Sequence, residues 1–95
     1  MKNKNLLKFF KSLGKKYNAD KVVIFGSQAR KDAGKLSDYD VCFFGIKETS
    51  YSQLFDEVEY DAPSLLKIDL VHWENIPPKL KDNIKKEGVI IYERN

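Results

Sequence analysis

Val22-Val23-Ile24-Phe25-Gly26-Ser27 is followed, ten residues after Ser27, by Asp38-Tyr39-Asp40-Val41-Cys42-Phe43-Phe44. Each apolar run has the length of a strand, and the first does not alternate, so it is predicted to be buried on both faces. Side chains alternate across a strand, which puts Asp38 and Asp40 on one face at the start of the second run, their Cα atoms about 7 Å apart. Gly26 and Ser27 turn the chain at the end of the first strand. Gln28-Ala29-Arg30-Lys31 then reads as a short helical turn with Ser27 at its N-cap. Residues 26–37 are too few for a full parallel crossover, so the two strands are predicted to run antiparallel.

Outward from this pair the chain keeps alternating. Leu6, Phe10, Leu13 and Tyr17 recur at spacings of four, three and four, the apolar stripe of an amphipathic helix, with Gly14 weakening its last turn. Beyond Phe44, Ser50 and Gln53 have the spacing of a capping box, and Tyr51, Leu54, Phe55, Val58 and Ala62 form the stripe of a second helix that Pro63 stops. Leu65 to His72 reads as a third strand, Pro77-Pro78 opens a last helix with Leu80 and Ile84 inward, and Gly88 stands where its C-cap belongs. Val89 to Tyr92 is the fourth strand. The expected fold is a single α/β domain over residues 1–95, a mixed sheet of about four strands with helices packed on it.

Bulk properties narrow the function. The chain is 42% hydrophobic and 33% charged, with a net charge of only +3, and Lys2, Lys4, Lys8, Lys11, Lys15 and Lys16 fall mostly on the outer side of one helix and read as a solvated face, so nucleic acid is not expected as a direct partner of this chain alone. No apolar stretch approaches the ~20 residues of a membrane span, and the basic, Asn-rich start lacks the apolar core of a secretory signal; a cytoplasmic protein is expected. Cys42 is the only cysteine, which excludes an intrachain disulfide and a cysteine-rich zinc site. Its place in a strand marks it as a small buried hydrophobe.

The acidic residues carry the chemistry. Asp69 lies among Leu66, Ile68, Leu70 and Val71 in what reads as an interior strand, where an unpaired carboxylate costs several kcal/mol. A lysine could compensate it, or Asp69 could be protonated, but Asp38 and Asp40 on a neighbouring strand worsen the repulsion unless a divalent cation sits among the three. Magnesium suits such a site because it takes carboxylate and phosphate oxygens together, and manganese also serves. With Gly26 lacking a Cβ and Arg30 close by, the set reads as a site for a metal-bound nucleoside triphosphate.

Other acidic-motif readings fit less well. Phe43 stands where a calcium loop needs glycine, and no run ends in the Gly-Lys-Ser or Gly-Lys-Thr of a P-loop. The Asp-x-Asp of sugar-nucleotide transferases usually follows an apolar run, whereas here it precedes one. Serine hydrolase chemistry needs a histidine near Ser27, and the single His72, next to Trp73 at a strand end, reads as structural.

Gly26-Ser27, the ten-residue gap, Asp38-Tyr39-Asp40 and the later Asp69 resemble the signature of the DNA polymerase beta-like nucleotidyltransferase superfamily. The short chain is similar to that superfamily's minimal nucleotidyltransferases. The resemblance implies a nucleotidyltransferase fold and transfer of a nucleoside monophosphate, AMP from ATP, to a hydroxyl. It implies that Asp38 and Asp40 hold two magnesium ions, that Asp69 binds the catalytic metal and helps activate the hydroxyl, and that Ser27 and Arg30 contact the triphosphate. Lys31 departs from the family pattern, which usually has glycine after the arginine. The resemblance also implies a separately encoded helical partner. One form is a HEPN-type ribonuclease toxin, a tyrosine of which the small chain adenylylates as its antitoxin; the other is a four-helix substrate-binding protein in a two-chain transferase, and Ile68-Asp69-Leu70-Val71 with Trp73, then a short helix and a final strand, looks slightly more like the small chain of this second kind. The alternative is a catalytically silent module that neutralises its partner by contact, against which the intact Asp38, Asp40 and Asp69 argue.

Overall fold

A computed structural model describes residues 4–30, 38–64 and 67–95. The sequence predictions for Lys31, for the remainder of the connection through residue 37 and for Leu65 and Leu66 lie outside these residues. Four strands, β1 (Lys21–Phe25), β2 (Tyr39–Phe44), β3 (Ile68–His72) and β4 (Val89–Glu93), form one sheet in the order β3-β2-β1-β4. The expected antiparallel pairing of β1 with β2 is present, β4 is antiparallel to β1, and β2 and β3 run parallel, so the sheet is mixed. Four helices accompany it: α1 (Lys4–Lys16), α2 (Gly26–Arg30), α3 (Tyr51–Asp61) and α4 (Pro78–Glu87).

Strand β1 is buried on both faces because the sheet is a central layer. On one side Val22, Ile24, Val41 and Phe43 meet Leu6, Phe10 and Leu13 of α1 and Leu54 and Val58 of α3. On the other, Val23, Phe25 and Cys42 meet Ile84 of α4, with Leu80, Phe44, Val71, Trp73 and Ile76 half-buried around them. Cys42 is the small buried hydrophobe its position predicts, and burial pushes its thiol up to about 12.

Just past the end of α1, Asn18 takes the left-handed conformation (φ 55°) that asparagine tolerates. Gly14 is explained by packing: a Cβ there would stand 2.7 Å from the Tyr92 ring, so glycine lets α1 approach the sheet. Glu57 of α3 accepts hydrogen bonds from the Tyr17 hydroxyl and from Lys16 Nζ (2.6 Å), tying α3 to α1. Burial, then the Glu57 contact, pushes the Tyr17 hydroxyl up to about 12.

Four local expectations are corrected. Ser27 is not an N-cap, because α2 already begins at Gly26 and Ser27 lies within its first turn. Ser50 stands at the N-cap of α3 but makes no side-chain cap bond; as the last residue of a 3-10 turn (Glu48–Ser50) it has helical dihedrals (φ −101°, ψ −3°) instead of the extended ones a cap needs. Phe55 is 53% exposed, so the buried stripe of α3 is narrower than predicted. Asp69 lies on an edge strand, not an interior one, and its side chain is 46% exposed.

Candidate active site

The register of three strands builds the site. Phe25 of β1 is paired with Asp40 of β2, and Asp40 with Asp69 of β3, so the three form one row across the sheet. Paired residues on neighbouring strands point to the same face, which sets the Asp40 and Asp69 carboxylates side by side on Cα atoms about 4.8 Å apart. The face is the one that carries Cys42, Val71 and α4. Asp38, immediately before β2, is exposed, whereas Asp40 is half-buried.

Gly26 follows Phe25 and therefore abuts the same row. Its φ of +73° lies in the left-handed region, and a Cβ on it would run into Asp40 Oδ2. Glycine is required twice here, by the backbone and by the carboxylate beside it. Ser27 is half-buried one residue further on.

Electrostatics show how the charges are grouped. Burial raises the Asp40 carboxyl above its ordinary 3.8, the Asp69 and Asp38 charges raise it further, and Arg30 opposes them. Two of these residues have ion-pair partners, of which the lysine beside Asp69 is of the kind the sequence allowed and the acid beside Arg30 was not anticipated. Arg30 Nη1 donates to Glu87 Oε2 at the end of α4 (2.9 Å), and Lys67 Nζ stands 3.5 Å from Asp69 Oδ1. Lys67 lies two residues before Asp69, the spacing that puts two side chains on one face of an extended chain, so that signal was available. Glu87 is 57 residues from Arg30, and no local pattern links them.

Among the described residues, no three His, Cys, Asp or Glu side chains are gathered closely enough to form a ready-made metal cage. The donor set nevertheless fits a hard divalent cation: the Asp69 and Asp38 charges push the Asp40 carboxyl up, a repulsion that positive charge placed among the three relieves. His72 takes no part, because odd spacing puts it on the other face from Asp69, stacked on Tyr51 with ring centroids 3.7 Å apart. Burial lowers its pKa, and its Nδ1 is buried without a hydrogen-bond partner.

Known proteins similar to this chain share its fold. The family described as "Polymerase beta, Nucleotidyltransferase" matches residues 6–95. No curated protein matches the chain in sequence. A solved structure of a toxin-antitoxin with AMP-PNP is similar with a TM-score of 0.75 at 14% identity, over 94% of this chain and 74% of the other. A mutant of the toxin-antitoxin MntA-HpeT, in which two aspartates one residue apart are changed to glutamate, gives 0.74 at 12% identity over the same shares. A Sulfolobus solfataricus protein described as a nucleotidyltransferase gives 0.50 at 24% identity, over 94% of this chain and 81% of the other. At these identities the likenesses show the fold.

Proposed function

Because the chain belongs to the polymerase beta nucleotidyltransferase family, we propose that its carboxylate row transfers AMP from ATP to a hydroxyl carried by a separate helical protein. The observation that carries this reading is the register that aligns Asp40 with Asp69 beside the left-handed Gly26. Asp38, Asp40 and Asp69 are the residues that would hold magnesium, two ions as the resemblance implies, with manganese as a substitute. Bound there, such ions lower the pKa of the acceptor hydroxyl and neutralise the leaving pyrophosphate.

The chain's own residues do the rest. Gly26 and Ser27 line the corner where the triphosphate lies, and Arg30, whose charge already acts on Asp40, meets its negative charge. The hydroxyl oxygen attacks the α-phosphorus in line; the new P–O bond forms as the bond to the β-phosphate bridge breaks, and pyrophosphate leaves. Asp69, on the open edge strand, accepts the hydroxyl proton. Its exposure, which an interior strand would not give, leaves room for an acceptor from another protein.

ATP as donor is supported by the AMP-PNP complex, since that ligand carries adenine and a triphosphate. The toxin-antitoxin neighbours favour a HEPN-type toxin over a four-helix substrate-binding protein as partner and an antitoxin role for this chain. A cytoplasmic location suits an enzyme drawing on ATP, and no helix among the described residues is long and apolar enough to cross a membrane. The test is transfer of label from α-labelled ATP to the co-purified helical partner in magnesium. The expected result is a labelled partner with wild type and at least a hundredfold less label, roughly, with Asp38→Asn/Asp40→Asn. Equal label with both proteins sinks the assignment.

A further inference from the structure

The two helices that close the other face of the sheet are opposite in charge. Residues 1–19 contain six lysines and no acid, and residues 48–66 contain five acids and no lysine or arginine. A helix face that only meets water usually interleaves the two signs, which adds support along the helix and limits one-sided fields. Neither helix does so here. Lys4, Lys8, Lys11 and Lys15 fall on one exposed stripe of α1, and Ser52, Asp56 and Glu59 on one exposed stripe of α3. Among the described residues, Lys16 with Glu57 is the ion pair that joins the two.

The acidic helix is also the apolar one at its surface. Phe55 is 53% and Tyr60 is 80% exposed, and beside Phe55 a cavity of ≈ 330 Å³ opens between α3 and the edge strand β3, lined by Tyr51, Ser52, Asp56, Leu70 and His72. An exposed aromatic ring beside a cavity that Asp56 lines, on a helix whose charges are all acidic, has the makings of a docking surface. The matching surface, a lysine stripe whose aliphatic stems cover apolar rings, is on the neighbouring helix of the same chain.

We propose that the protein self-associates about a two-fold axis, with α1 of each copy lying along α3 of the other. Because the two helices sit side by side on one face, turning a second copy over that face sets basic against acidic twice, as a closed isologous interface requires. A standard interface takes about 800 Å² from each partner, roughly an eighth of this chain's 6200 Å², so one face suffices. The carboxylate row lies on the opposite face of the sheet and stays open, which makes the inference independent of the proposed reaction.

The test is analytical ultracentrifugation of the full chain alone, from about 1 to 500 µM, at low salt. Wild type is expected to move from 11.0 kDa toward twice that mass, and about 0.5 M salt is expected to weaken the association roughly tenfold. Asp56→Lys/Glu59→Lys and Lys8→Glu/Lys11→Glu are each expected to stay monomeric. Their equimolar mixture is expected to dimerise, because the reversed α3 of one meets the reversed α1 of the other at one contact and the unchanged α1 of the first meets the unchanged α3 of the second at the other, basic against acidic both times. Recovery in the mixture also shows that both variants fold. A monomeric wild type, a dimer indifferent to the reversals, or a mixture that stays monomeric overturns the proposal. If the reversals unfold the chain by circular dichroism, Asp56→Asn/Glu59→Gln is used, and an unchanged dimer then has the same meaning. A basic partner protein on α3 of a chain that is monomeric by itself contradicts it as well.

Discussion

Phe43 and Phe44 are neighbours in β2 and look out on two unlike faces of the sheet. Phe43 points into the side closed by α1 and α3, where it is fully buried with Leu6, Phe10, Ile24 and Leu54. Phe44 points to the side only partly covered by α4, where it is half-buried against Trp73, ring centroids 4.4 Å apart. The buried side chains of the first face are all apolar or aromatic. The second begins, four residues earlier in the same strand, with the half-buried carboxylate of Asp40. One face therefore supplies the cohesion, and the other is left incomplete where the chemistry is proposed.

The largest expected effect tests that division directly. Phe43→Ala should cost about 3–5 kcal/mol, a large part of the 5–15 kcal/mol typical of a domain, because the closed face cannot collapse around the void. Phe44→Ala should cost about half as much, since its ring is already partly in water. Urea midpoints of the two variants give the comparison, and equal losses would erase the distinction between the faces.

Next comes the corner. Gly26→Ala places an L side chain at φ +73° and its Cβ against the Asp40 carboxylate, for a cost of about 1–2 kcal/mol, read from the same urea curves. Asparagine tolerates left-handed dihedrals but also carries a Cβ, so Gly26→Asn should recover little. Full recovery would show that the backbone, and not Asp40, sets the requirement.

The smallest effect has the opposite sign. Asp40 holds its proton above the ordinary 3.8, so between that value and the folded one the native chain binds more protons than the unfolded chain. Stability then falls as pH rises through the window and levels off above it. Asp40→Asn should remove that slope and raise the melting temperature at pH 7 by a few degrees. A fall in melting temperature would mean that the carboxylate is structural.

Much of this was legible in the sequence, and the exceptions share a cause. The non-alternating run of β1 announced a strand covered on both faces, and the alternation of residue types gave four strands and their helices in order. Strand order was not written there: Ile68, Leu70 and Val71 suggested an interior strand for Asp69, yet every residue of β3 is only half-buried, at the edge. A run of apolar residues reports that a strand packs, not how many neighbours it has. The exposure of Phe55 and the pairing of Arg30 with Glu87 belong to the same class, being settled by which distant element arrives alongside. For the site, the spacing of Asp38 and Asp40 follows from strand geometry alone. The alignment of Asp40 with Asp69 depends on a parallel register that no local pattern encodes.

The central claim, that the open face gathers a divalent cation among Asp38, Asp40 and Asp69, is tested most directly by titrating substoichiometric Mn²⁺ into the ¹⁵N-labelled chain and reading which amide signals broaden. The account predicts broadening centred on Gly26, Ser27, Asp40 and Asp69, abolished by Asp38→Asn/Asp40→Asn. Broadening centred on the acids of α3, Asp56, Glu59 and Asp61, with Asp40 and Asp69 left sharp, would contradict it.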